Sequence, residues 1–171
     1  MGLDSAELEE MIDTYSDHLL KMAYFYLRDR EMAKDIVQDV FLSFYDKASY
    51  KEQGKLRAYL TKMTINRCKD HLRSWSFRHL QFNKNRIEFI HNERDPLILQ
   101  EEKSQIAIAV LKLPVKYREI IIFYYYEEYN MREIAQFLNL SENTVKTRMI
   151  KARKLLKNEL PSDHWEVLSI E

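Results

Sequence analysis

Apolar positions recur at helical spacing from the start of the chain. Leu8, Met11, Ile12, Tyr15, Leu19, Met22, Ala23, Tyr26 and Leu27 predict a helix over 5–27. Asp29 opens a short break, and a second amphipathic run continues through Met32, Ala33, Ile36, Val37, Val40, Phe41 and Phe44. The polar stretch Lys47–Gly54 is the expected loop of the first half. A third helix is expected from Leu56 to about Trp75, through Leu60, Met63, Ile65, Cys68 and Leu72. Periodicity then fades over 76–96, a polar segment ending at Pro96 and read as a linker. Beyond it the pattern predicts helices over 97–112, 115–128, 131–138 and 142–159, with Pro161 closing the last and a tail over 161–171. The run Ile120–Tyr126 is apolar enough for a buried strand, but its Glu and Arg flanks and its helical neighbours favour a helix. The expected fold is all-α: two small helical domains, at 5–75 and 97–160, joined by a linker.

Composition supports that outline. Two Gly and three Pro in 171 residues are few for sheets joined by tight turns. Apolar stretches stay far below the ~20 residues needed to cross a bilayer. The opening MGLDSAELEEM is acidic, unlike a secretory signal, and Ala6 stands where a myristoylation motif wants Ser or Thr. A single Cys68 excludes an internal disulfide and a cysteine zinc cage. These features suit a reduced, cytoplasmic protein with no direct membrane insertion, and no cofactor or metal is called for.

Charge distribution changes the picture more than its total, which is zero. Residues 1–54 carry 6 Lys/Arg against 12 Asp/Glu, whereas residues 55–95 carry 10 against 4. Residues 96–142 carry 5 against 7, and residues 143–171 carry 6 against 4. Phosphate responds to local basic patches, so two candidate nucleic-acid segments emerge.

The second is the more specific. Met131, Ile134, Ala135 and Leu138 form one stripe, and Val145, Met149, Ala152, Leu155 and Leu156 another. Between them Asn139 suits a left-handed helix end, Leu140 fills the corner and Ser141 can cap the next helix. This is the logic of a helix-turn-helix. Its second helix carries Lys146, Arg148, Lys151, Arg153, Lys154 and Lys157, with no acidic residue from Asn143 to Asn158. Like charges at i,i+4 repel, so a one-sign face is better explained by phosphate than by solvation alone. Asn143, Thr144, Lys146 and Thr147 sit near the start, where a recognition helix meets base edges. Arg148, Lys151 and Arg153 suit phosphates or outer bases.

This segment resembles region 4 of bacterial sigma factors of the extracytoplasmic-function group. Leu113-Pro114-x-Lys116-Tyr117-Arg118 is similar to the entry of that domain, and Arg132-Glu133-Ile134-Ala135, Thr144-Val145-Lys146-Thr147-Arg148 and Ala152-Arg153 to its recognition motif. The resemblance assigns Lys146, Thr147, Ile150 and Lys151 to reading of the −35 promoter element. Earlier, Ala33-Lys34-Asp35-Ile36-Val37-Gln38-Asp39-Val40-Phe41 resembles region 2.2, which grips core RNA polymerase. It implies polymerase contact by Asp35, Ile36, Gln38, Asp39 and Phe41. Leu56-Arg57-Ala58-Tyr59-Leu60, Ile65-Asn66-Arg67 and Asp70-His71-Leu72-Arg73 resemble regions 2.3 and 2.4.

From these follow the −10 expectations. Loop residues Lys51, Glu52, Gln53 and Gly54 would cradle a flipped base, and Asn66 offers an amide to a base edge, with Asp70 matched one turn on. Tyr59 stands where the family often has Trp and can still stack, while Lys55, Arg57, Lys62, Arg67, Lys69 and Arg73 can line a phosphate path. Leu60 and Met63 read as core. The resemblance implies core polymerase, promoter DNA and an anti-sigma protein as partners, and no small-molecule substrate.

Three other classes compete, one of them an interaction protein such as an anti-sigma factor, whose surface should lack the basic recognition helix. The scattered histidines His18, His71, His79, His91 and His164 form no HExxH pair, and no phosphate-binding glycine loop or nucleophile elbow is present, so an enzyme is disfavoured. A helix-turn-helix regulator with a ligand-sensing or dimerising N-terminal domain, Phe123–Tyr126 lining its pocket, would have no need of the basic helix at 55–73.

Overall fold

The computed structural model describes residues 4–47, 54–80 and 105–162, with side chains described as far as 76 in the second stretch. Lys51, Glu52 and Gln53, linker residues 81–96, the expected helix start at 97–104 with Leu97 and Ile98, and tail residues 163–171 lie outside the described residues. The chain divides into two compact units, Met1–Asn92 and Glu93–Glu171.

Unit 1 is three helices: α1 (Ser5–Leu27), α2 (Arg30–Asp46) and α3 (Leu56–Leu80). Asp4 begins α1 with a capping box, its carboxylate accepting from the Glu7 amide at 2.8 Å while Glu7 accepts from the Asp4 amide at 3.0 Å. Arg28 ends it in the left-handed region, and Asp29 at once caps α2 through the Met32 amide. This two-residue corner folds α2 back on α1 and buries Leu19, Met22, Tyr26, Ile36, Val40 and Phe44 together with Leu60 and Ile65 of α3. Helix α3 continues to Leu80, five residues past the expected end at Trp75, because Ser76–Leu80 holds no proline or glycine to stop it.

Unit 2 is α4 (Gln105–Lys112), α5 (Val115–Ile121), α6 (Met131–Leu138) and α7 (Glu142–Glu159). Pro114 is the N-cap of α5, where its missing N–H costs no helical bond. The helix expected over 115–128 is not uniform: after Ile121 it widens into a π turn, Ile122–Tyr126. There the Glu127 amide reaches back to Ile122 O at 3.1 Å, and Glu128 follows at φ 59. A seven-residue apolar run cannot keep every member inward at 3.6 residues per turn, and the wider turn re-aims it. Ile122 and Phe123 go into the core, while Tyr124 and Tyr125 stay half-exposed. Phe123 packs on Tyr129 and Phe137, with centroids 5.5 and 4.9 Å away, so it is a core ring rather than a pocket wall.

No strand occurs among the described residues. No described helix is long and apolar enough to cross a membrane.

Candidate nucleic-acid interface

In unit 2, Asn130 caps α6 with a capping box to Glu133, and Asn139 ends it at φ 55, ψ 49. The Leu140 amide then donates to Ala135 O at 2.8 Å, and Ser141 starts α7 by accepting from the Thr144 amide at 3.1 Å. Cap, turn and cap thus fall at the positions the sequence predicted. Ile134, Ala135 and Leu138 of α6 and Val145, Met149, Ala152 and Leu156 of α7 are buried, which presents the opposite face of α7 to solvent.

That face holds Asn143, Lys146, Thr147, Ile150, Lys151 and Lys154, all exposed. Ile150 is 69% exposed, an unusual place for an isoleucine amid cations. Thr144 is half-buried, its hydroxyl 2.8 Å from that of Ser141, so its side chain serves the helix start. Thr147 donates its hydroxyl to Asn143 O one turn back, 2.8 Å away.

Two expected DNA contacts need correction. Arg148 does not join the exposed face: it is half-buried and its Nη1 lies 3.3 Å from Oε1 of Glu119, a residue only 4% exposed. A carboxylate taken out of water on α5 needs a cation, and Arg148 supplies it. Arg153 is also turned inward, its Nε donating to the Tyr125 hydroxyl at 3.3 Å and its guanidinium 5.7 Å above the Tyr124 ring. The signal for Arg148 was Glu119 itself, a lone acid beginning a buried run.

In unit 1 the exposed residues of α3 include Arg57, Tyr59, Asn66, Asp70 and Arg73, with Gly54 ahead of them at φ 70. That left-handed φ is accessible to glycine without strain. Tyr59 is 38% exposed and meets Phe44 edge-on at 6.0 Å, so the ring is anchored on one edge and partly exposed. Asn66 engages no hydrogen bond or ion pair among the described residues, leaving its amide available. Asp70 pairs with Arg73 at 3.6 Å on the surface.

The basic path is narrower than expected. Arg67 turns to α2, hydrogen-bonding the Ser43 hydroxyl and lying 3.9 Å from Asp39. It is a tie between helices before it is a phosphate contact. Lys62 and Lys69 are half-buried, and Lys69 Nζ lies 6.0 Å from the Tyr26 ring centroid. On α2, Asp35, Gln38 and Asp39 are exposed, but Ile36 and Phe41 are each only 6% exposed. Both were expected to meet polymerase; their spacing puts them on the inward stripe instead.

One arrangement was not legible beforehand. His18 of α1 accepts from Arg57 Nη2 at its Nδ1 (3.2 Å), which sets Nε2 as the protonated nitrogen donating to Thr61 Oγ1 at 3.0 Å. Thr61 passes the bond on to the Arg57 backbone carbonyl at 2.8 Å, closing a ring of three residues across α1 and α3. Burial, with Arg57 and Lys21 nearby, lowers the imidazole to about 4. Cys68 is buried and its thiol is pushed up to about 12 by desolvation, which removes it as a nucleophile. Among the described residues no three His, Cys, Asp or Glu side chains gather as a metal site.

Comparison with known proteins agrees with this geometry. The family model for sigma-70 region 2 matches residues 11–77, and that for sigma-70 region 4 matches residues 104–156. The chain is 26% identical over 170 residues to the ECF RNA polymerase sigma factor SigW of Bacillus subtilis, covering 92% of this chain and 90% of that protein. It is 24% identical over 152 residues to SigM of the same organism, covering 88% and 93%. Among solved structures it resembles the sigma factor RpoE in complex with the anti-sigma factor NepR from Bartonella quintana, with TM-score 0.70, 22% identity and coverage of 92% and 99%. It also resembles CnrH in complex with the cytosolic domain of CnrY, with TM-score 0.60, 20% identity and coverage of 91% and 88%. These structural likenesses are of fold. With both sigma modules matched in order along most of its length, the chain belongs to the sigma-70 family of RNA polymerase sigma factors, in its extracytoplasmic-function group.

Proposed function

We propose that this sigma factor directs transcription initiation by docking on core RNA polymerase through unit 1, opening the −10 element with α3 and reading the −35 element with α7. The observation that carries the reading is the joint presence of an exposed polar, aromatic face on α3 and a capped helix-turn-helix with a one-sign exposed face on α7. Asp35, Gln38 and Asp39 form the acidic, polar docking surface for polymerase. Tyr59 stacks on a base leaving the duplex, Asn66 hydrogen-bonds its edge, and Lys55, Lys62, Lys69 and Arg73 hold the opened strand. Loop residues Lys51–Gly54 border the captured base.

On α7, Asn143, Lys146, Thr147 and Lys151 meet base edges and phosphates of the −35 duplex, while Ile150 and the Thr147 methyl suit thymine methyl groups. Neither unit need bind free DNA tightly, because polymerase links the two contacts and raises their effective concentration. The protein acts by binding, from the cytoplasm, and an anti-sigma protein covering these surfaces would hold it inactive, at the membrane if that partner is anchored there.

The test is run-off transcription by bacterial core polymerase on genomic promoter fragments, with and without this protein. Specific initiation that depends on the protein is expected. Asn66→Ala should lower it about tenfold or more, in line with the ~1–3 kcal/mol carried by a specific base contact. Duplex binding without initiation would instead favour a helix-turn-helix regulator.

A further inference from the structure

On α7 the guanidinium of Arg148 is held by a buried carboxylate. Glu119 is 4% exposed and lies on α5, the helix against which α7 packs; Arg148 Nη1 is 3.3 Å from its Oε1. The two residues are 29 positions apart, so the pair is tertiary and not part of the local cap-turn-cap geometry. Ile120 on α5 and Val145, Met149 and Ala152 on α7 are buried apolar residues, and Arg118, the neighbour of Glu119 on α5, is also buried, its Nη2 donating to Leu113 O at 2.7 Å. Apolar surfaces alone let a helix roll or slide by fractions of a turn, because dispersion and burial are non-directional. A charge-assisted hydrogen bond in a water-poor setting is directional, and breaking it costs a buried carboxylate one of its partners. Arg148 lies between Thr147 on one side and, one turn on, Lys151 and Ala152, so its position sets how far Lys146, Thr147, Ile150 and Lys151 project.

We propose that Glu119 is a positioning residue for −35 reading: through Arg148 it fixes the roll of α7, and Arg148 contacts no DNA phosphate. This rests on the reading of α7 as the −35 helix.

The experiment uses holoenzyme reconstituted from core polymerase and the full-length chain. Binding to a promoter with a matched −35 element, and to one with that element substituted, is measured across a salt series. Four forms are compared with wild type: Glu119→Gln, Arg148→Gln, the double variant Glu119→Leu with Arg148→Met, and Lys151→Gln. Glu119→Gln and Arg148→Gln should each cut discrimination between the two promoters about tenfold, the size of one lost base contact, with the salt slope unchanged. Lys151→Gln, the exposed reference, should lower the slope by about 0.9, one phosphate's share. The double variant removes both charges of the pair together and is expected to fold even where the single variants do not. A wild-type slope in it supports the proposal, and a slope about 0.9 lower overturns it, since Arg148 would then be a phosphate contact. Full discrimination retained by folded Glu119→Gln also overturns it. A wild-type holoenzyme indifferent to the −35 sequence would overturn the −35 reading itself, a result distinct from the others.

Discussion

His18 sits where two helices cross, and its neutral form is the one the site can use. Nδ1 must stay unprotonated to accept from Arg57, and burial beside Arg57 and Lys21 lowers the ring to about 4 from an ordinary 6.5. Between those values the unfolded chain takes up a proton that the folded chain refuses. Stability therefore rises with pH in that window and is lost as pH falls from about 7 toward 4. The ring is only half-buried, so solvent screening limits the effect to about 1 kcal/mol. Urea unfolding across that range should show wild type losing about 1 kcal/mol more than His18→Gln, whose amide keeps a donor and an acceptor without titrating. Parallel losses in the two proteins would refute this account. Single residues also show where a sequence pattern misleads. Arg148, Arg153 and Arg67 count as free cations in a charge tally, yet each is engaged by Glu119, by Tyr125 or by Ser43 and Asp39.

Within the helix-turn-helix, local chemistry and tertiary fold agree. Asn139 takes the left-handed conformation that ends α6, and Ser141 caps α7 within two residues. Replacing the cap, Ser141→Ala, should cost about 1 kcal/mol in unit 2, whereas Asn139→Gly should be close to neutral because glycine adopts that φ freely. Thermal melts of the two variants would show the contrast, and equal destabilisation would mean that Asn139 acts through its side chain. These elements were legible because caps, turn residues and stripe spacing are all written within about 30 residues of chain. The π turn was not legible. Ile120–Tyr126 is apolar throughout, so its period is hidden, and only packing on Tyr129, Phe137 and Arg153 decides which rings turn inward.

At the scale of the whole chain, each unit carries its own core: Leu19, Met22, Tyr26, Val40, Leu60 and Ile65 in one, Ile120, Phe123, Ile134, Val145, Met149 and Leu156 in the other. A core cavity should therefore act on one unit. Leu60→Ala removes a fully buried side chain and is expected to cost about 2–5 kcal/mol. Amide hydrogen exchange should rise over 4–47 and 54–80 and stay at wild-type rates over 105–162. Acceleration in both regions would mean that the units share a cooperative transition.

The sequence by itself determined the helical class, the ends of most helices, the helix-turn-helix and the stretches of chain that bear its chemistry. Each of these depends on neighbours within a few turns: apolar period, capping side chains, Gly and Pro placement, runs of one charge. Tertiary structure alone decided which members of those stretches face solvent. Ile36 and Phe41 went to the core, Arg148 to Glu119 and His18 to Arg57, while Asn66, Lys146, Ile150 and Lys151 were left exposed. Burial and pairing depend on partners tens of residues away, and a buried charge must find its counterion wherever the fold brings one within reach.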